Sequence, residues 1–128
     1  MRMLRTAIAI ALAALASLAM AGEIKPYSAQ AFDQLTHAGK PVVVEVSASW
    51  CPTCKAQKPI LEGLMKQPAY QDVTVLTVDF DTDKTALKKF KVGTQSTLVA
   101  FKGVSEVART VGDTTPTGIE SLIRQTVN

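Results

Sequence analysis

Both cysteines of this chain fall in one short stretch, Trp50-Cys51-Pro52-Thr53-Cys54, a few residues after an apolar run from Pro41 to Val46. Two thiols at this spacing, where a strand gives way to a helix, suit the making and breaking of a disulfide. A sulfur on Cys51 in the first helical turn faces unpaired backbone N–H groups and the positive end of the helix dipole, and both favour thiolate over thiol. A free cysteine has a pKa near ~8.5 and Cys-x-x-Cys sites range from roughly 3.5 to 7, so Cys51 is expected to be substantially ionised at neutral pH and to act as the nucleophile. Cys54, one turn further in, is placed to attack a mixed disulfide on Cys51 and expel the bound thiol. Pro52 has no N–H to lose and a φ suited to a helix start, so it tightens the turn.

Other uses of the pair fit less well. A disulfide closing so short a loop removes little unfolded-state entropy and stabilises weakly. Tetrahedral zinc needs four ligands, and two cysteines with one histidine require carboxylates or a second chain to complete the set. Two inert core thiols leave Trp50 and Pro52 unexplained.

The elements that must hold the pair can be read along the chain. Ser28 is a candidate N-cap for a helix from Ala29 to His37, with Phe32 and Leu35 inward and Gly39 ending it. Val42 to Val46 is β-branched and apolar at nearly every position, as in a central strand buried on both faces. A helix from about Cys51 to Lys66 follows, interrupted by Pro59. Val73 to Val78 predicts a second strand and Thr85 to Phe90 a short helix. Thr97 to Phe101 and Glu106 to Val111 flank Gly103 as a hairpin. Thr115-Pro116 starts a last helix with Ile119, Leu122 and Ile123 inward. Parallel strands joined by crossover helices, then an antiparallel hairpin, predict an α/β fold with a central mixed sheet covered by helices on both faces.

The first residues have the form of an export signal. Arg2 and Arg5 precede the apolar run Thr6 to Met20, and Ala19-Met20-Ala21 fits a small-x-small cleavage site. Residues 1–21 are therefore expected to be a cleaved signal peptide and 22–128 a single domain, periplasmic or secreted. The apolar run is short of the ~20 residues that span a bilayer, so no stable membrane insertion is expected after cleavage. The whole chain carries 14 basic and 11 acidic residues. Losing Arg2 and Arg5 leaves 12 basic against 11 acidic, a net charge of +1, which gives no ground for a nucleic-acid partner. In an oxidising compartment, a Cys-x-x-Cys pair depends on a partner protein to reset its redox state.

These residues together resemble the thioredoxin-like thiol–disulfide oxidoreductases, from about Tyr27 to Val127. The likeness rests on Trp50-Cys51-Pro52-Thr53-Cys54-Lys55, on Pro59 five residues beyond the second cysteine, on the Thr97 to Phe101 strand and on Val111-Gly112 before the last helix. It implies a thioredoxin-like fold with Cys51 as nucleophile, Cys54 as buried resolving cysteine and Trp50 as a ring beside the active-site turn. It also implies a substrate-contacting surface of Trp50, Pro52, Thr53, Gln95 and Ser96, protein thiols and disulfides as substrates, no cofactor, and a monomer. Glu45 occupies the place, six residues before the first cysteine, where the family carries a buried acid that exchanges a proton with the resolving thiol. A carboxyl among Val43, Val44 and Val46 is desolvated and its pKa raised, which suits it to accept the Cys54 proton. Thr77 stands where many relatives place a lysine, and without that charge the Glu45 pKa is expected to rise further.

Ser96 departs from the family, which has a cis-proline at this position. A cis bond before a non-proline residue costs roughly 2.5 to 4 kcal/mol, so a trans Gln95–Ser96 bond and an altered loop are expected. Substrate docking along the Gln95 backbone would then be weakened or re-aimed, and the Ser96 hydroxyl could bond the Cys51 thiolate and lower its pKa. Loss of the ring could also open the sulfurs to a metal or iron–sulfur cluster shared between two chains. A redox-silent module binding a partner through Trp50 and Ser96 is the remaining alternative. His37 is expected to complement a helix C-terminus, and Lys84, Lys88, Lys89 and Lys91 to form a solvated face. Asp79, Asp81 and Asp83 lack the Gly and terminal Glu of a calcium loop.

Overall fold

A computed structural model describes residues 21–128. The proposed signal peptide, apart from Ala21, lies outside the described residues, among which no helix is long and apolar enough to cross a membrane. Strand β1 (Glu23–Pro26) is followed by α1 (Ala29–His37), β2 (Pro41–Ser47), α2 (Pro52–Met65), a 3₁₀ turn (Pro68–Tyr70) and β3 (Thr74–Asp79). Then come α3 (Lys84–Phe90), β4 (Thr97–Lys102), β5 (Ser105–Val111) and α4 (Pro116–Val127). The five strands form one sheet in the order β1-β3-β2-β4-β5, parallel across β1, β3 and β2 and antiparallel across β2, β4 and β5. It is the expected mixed sheet, with helices on both faces.

Strand β1 was not foreseen. Glu-Ile-Lys-Pro has one strongly apolar residue and no alternation to betray a strand; pairing with β3, in register from Glu23 and Thr74 to Pro26 and Thr77, makes it one. Its edge position tolerates the proline. Helix α3 starts one residue earlier than expected because Asp83, through a 3.0 Å bond from the Ala86 N–H, is its N-cap. The Ser28 cap on α1 is as expected, accepting from the Ala31 N–H at 3.0 Å, and Gly39 follows that helix at φ +75°.

The alternation of β2 divides the core. Val42, Val44 and Val46 face α1 and α3, packing with Phe32, Leu76, Phe90 and Phe101, whose rings meet edge to face. Val43 faces α2 and α4, with Leu61, Leu98, Ile119 and Ile123. These valines are fully buried, and each such side chain contributes about 1.5–3 kcal/mol of burial. Strand periodicity then puts Glu45 on the α2 face, paired with Thr77 of β3 on one side and Leu98 of β4 on the other. One strand thus builds both cores and carries a carboxyl under the helix that begins with the cysteines.

Candidate functional site

Cys51 is the N-cap of α2, with Pro52 at its first position. The Cys51 Sγ accepts the Cys54 N–H at 3.1 Å, so a sulfur takes the role that a serine or aspartate oxygen takes at most helix starts. Helix geometry brings the Cα atoms of Cys51 and Cys54 to 5.3 Å, and the two are joined as a disulfide. Both sit in a small cluster with Ala48 and Phe80, and Cys51 is as enclosed as Cys54, at 1% and 3% exposure. Trp50, by contrast, is 55% exposed. Its indole Nε1–H donates to Asp81 Oδ2 at 2.9 Å, which tethers the ring beside the turn without burying it.

Ser96 lies across the disulfide. Its Oγ is 3.1 Å from the Cys51 Sγ and 3.3 Å from the Cys54 Sγ. All peptide bonds among the described residues are trans, that before Ser96 included, and the loop is accommodated by a left-handed φ of +60° at Ser96. The Ser96 N–H, a donor that proline would lack, bonds the Val46 carbonyl at 2.8 Å, and the Ser96 carbonyl accepts the Gly112 N–H at 3.0 Å. Gln95 is half-buried, and its side-chain oxygen accepts the Thr94 hydroxyl at 2.9 Å.

Glu45 is 6% exposed, and the Thr77 hydroxyl donates to its Oε2 at 3.1 Å. Glu45 and Cys54 line the same cavity of about 600 Å³, which opens between β1 and α2 past Lys58, Glu62 and Thr77. Burial holds the Glu45 carboxyl above its ordinary pKa, the Thr77 bond and the Lys58 charge work against it, and Glu62 reinforces it. The expectation considered only the positive charge missing at Thr77, and another is present. Lys58 supplies one from α2, on the opposite wall from Thr77, and it diminishes the upward shift without reversing it.

Sequence reasoning missed Gln57. Its polar side chain is fully buried within the inward stripe Cys54, Gln57, Leu61, Leu64 of α2. Its Nε2 donates to the Ser96 carbonyl at 3.2 Å and the Asp113 carbonyl at 2.9 Å, while its Oε1 has no partner. An amide interrupting an apolar helical stripe was the available signal. The acidic segment is also structural in use: Asp79 Oδ1 accepts the Asp81 N–H, Asp81 holds Trp50 and Asp83 caps α3. His37 Nδ1–H donates to the Asp33 carbonyl at 2.8 Å at the end of α1, its expected place. The lysines taken for a solvated face, Lys84, Lys88, Lys89 and Lys91, are all exposed, and Lys89 pairs at the surface with Asp33 at 3.3 Å while lying over the Phe32 ring.

Comparison with known proteins places this geometry in context. The Thioredoxin family model matches residues 23–125. The thioredoxin of Mycobacterium tuberculosis is 36% identical over 89 residues, covering 70% of this chain and 76% of that protein. Thioredoxin-2 of Saccharomyces cerevisiae is 35% identical over 101 residues, covering 78% and 94%. Among solved structures, Trxlp from Edwardsiella tarda superposes with a TM-score of 0.76 at 44% identity, covering 78% of this chain and 97% of that one.

Proposed function

We propose, from the premise that this chain belongs to the thioredoxin family and is a thiol–disulfide oxidoreductase, that it works outside the cytosol on the thiols and disulfides of other proteins, with Cys51 as its reacting sulfur. The observation that carries the assignment of roles is the capping geometry: the Cys51 Sγ sits on the open N–H groups of α2, where a thiolate is favoured.

The Cys51 thiolate attacks one sulfur of a substrate disulfide, forming a mixed disulfide and releasing the other as thiolate. The Cys54 thiolate then attacks the Cys51 Sγ, closing the intramolecular disulfide and releasing the second substrate thiolate. Two electrons pass to the substrate, and the reverse sequence oxidises a substrate dithiol. Glu45 takes the proton from Cys54 across the shared cavity, a role that the upward shift of its pKa by burial supports. Trp50, Pro52, Thr53 and Gln95 form the surface against which the substrate chain docks, with Ser96 beneath it. A second protein dithiol or disulfide resets the pair. The exchange runs on the cysteine sulfurs alone, in a monomer.

An insulin-reduction assay on the purified protein tests this: exchange by wild type and its loss in Cys51→Ser are expected, and a silent wild type or an unchanged variant overturns the assignment. Export is tested by fusing residues 1–21 to alkaline phosphatase, which folds to activity only in an oxidising compartment. An inactive fusion removes the proposed location.

A further inference from the structure

We propose that the Ser96 hydroxyl is a shared hydrogen-bond donor to both sulfurs of the dithiol, and that Gln57 is the positioning residue that holds Ser96 where it can serve them. The inference rests on the exchange chemistry proposed above and adds two residues' roles to it.

During exchange, negative charge alternates between two atoms. When an incoming thiolate attacks the Cys51 Sγ of the disulfide, the sulfur–sulfur bond breaks and its electron pair leaves on the Cys54 Sγ. When the reduced protein attacks a substrate, the charge begins on the Cys51 Sγ. The Ser96 Oγ stands 3.1 Å from one and 3.3 Å from the other. A hydroxyl carries one proton on a free rotor, so it can donate to whichever sulfur holds the charge without any movement of the backbone. Bonds to an ionised acceptor are about twice as strong as neutral ones, so the donor acts where charge appears.

That placement requires a backbone conformation a serine does not adopt by itself. A non-glycine residue at φ +60° is strained and persists only when its surroundings over-determine it. Three bonds do so here: from the Ser96 N–H to Val46, and to the Ser96 carbonyl from Gly112 and from Gln57 Nε2. Gln57 is the one side chain among them. Its other N–H holds the Asp113 carbonyl at 2.9 Å, so a single amide ties the Ser96 loop to the loop after β5. As mere core filler it is a poor choice, because its buried Oε1 is unpaired, a penalty that an apolar residue would avoid. The two donated bonds give the amide its purpose.

Thiolate absorbance titrations decide both parts. In a Cys54→Ala background they report Cys51, and in a Cys51→Ala background they report Cys54. Ser96→Ala keeps the main-chain N–H and removes only the donor. It is expected to lower the thiolate-to-thiol ratio of each cysteine about tenfold at a given pH. A shift at one sulfur alone, or at neither, overturns the shared donor. Gln57→Met, which removes the unpaired acceptor with little change of volume, is expected to shift both titrations in the same direction and to add nothing once Ser96 is alanine. Gln57→Leu serves in its place if the methionine variant does not fold. Unmoved titrations with changed unfolding stability would make Gln57 structural only, and a full shift retained in the Ser96→Ala background would show that it does not act through Ser96. None of these titrations needs a substrate, so a failure of this proposal and a failure of the exchange reading in the insulin assay are read separately.

Discussion

Replacing Ser96 with proline, the residue that the thioredoxin resemblance leads one to expect at this position, is expected to destabilise this protein. Proline fixes φ near about −65°, whereas the loop here is built on φ +60°. Proline also removes the N–H that bonds the buried Val46 carbonyl at 2.8 Å, and an orphaned buried acceptor costs about 1–3 kcal/mol. If the main chain turns to suit the ring, the Ser96 carbonyl moves off the Gly112 and Gln57 donors. Each of those bonds contributes about 0.5–1.5 kcal/mol. The combined loss is about 2–6 kcal/mol, measured against Ser96→Ala, which shares the loss of the hydroxyl but keeps the N–H. Urea unfolding of both variants in the oxidised state, compared at equal slope, measures the difference. A Ser96→Pro protein as stable as Ser96→Ala, or more so, would refute the account of this loop.

Burial raises the Glu45 pKa in the folded protein, so the native state binds the proton more tightly than the unfolded chain, and this contribution to stability is complete below the ordinary value of 4.5 and lost as pH rises through the higher folded value. Glu45→Gln is expected to flatten that part of the stability profile in pH-dependent unfolding and to slow the resolving step in stopped-flow exchange; a profile with an unchanged slope would deny the buried carboxyl its role. Asp81→Ala removes the partner of the Trp50 indole; tryptophan fluorescence anisotropy is expected to fall while stability changes by less than about 1 kcal/mol. Leu61, 1% exposed between α2 and the sheet, is expected to cost about 2–5 kcal/mol on truncation to alanine in the same urea assay.

The parts of this fold written in local chemistry were legible in the sequence. Ser28 and Thr115 are caps, Val42 to Val46 can only be a buried strand, and Cys51 and Cys54 mark a helix start. Glu45 was legible because a lone carboxylate among valines demands a reason. The parts settled by distant pairing were not. Strand β1 exists through its register with β3. Lys58 counts as a neighbour of Glu45 only once α2 is laid over the sheet. Gln57 breaks the apolar stripe of α2, but its partners, at sequence separations of 39 and 56, are set only by the fold.

The two strands that end the sheet bear on how this protein meets other chains. β1 is four residues long and finishes in Pro26, and β5 departs from regular pairing between Ala100 and Phe101. Arg109 of β5 bonds the Phe90 and Lys91 carbonyls and pairs with Glu106 at 2.7 Å, which seats charged groups along that border. Short, proline-ended, irregular and charged borders are poor templates for adding a foreign strand. A thiol–disulfide oxidoreductase bordered in this way resists being drawn into aggregates by strand addition, while its disulfide turn and tethered indole stay clear of both borders.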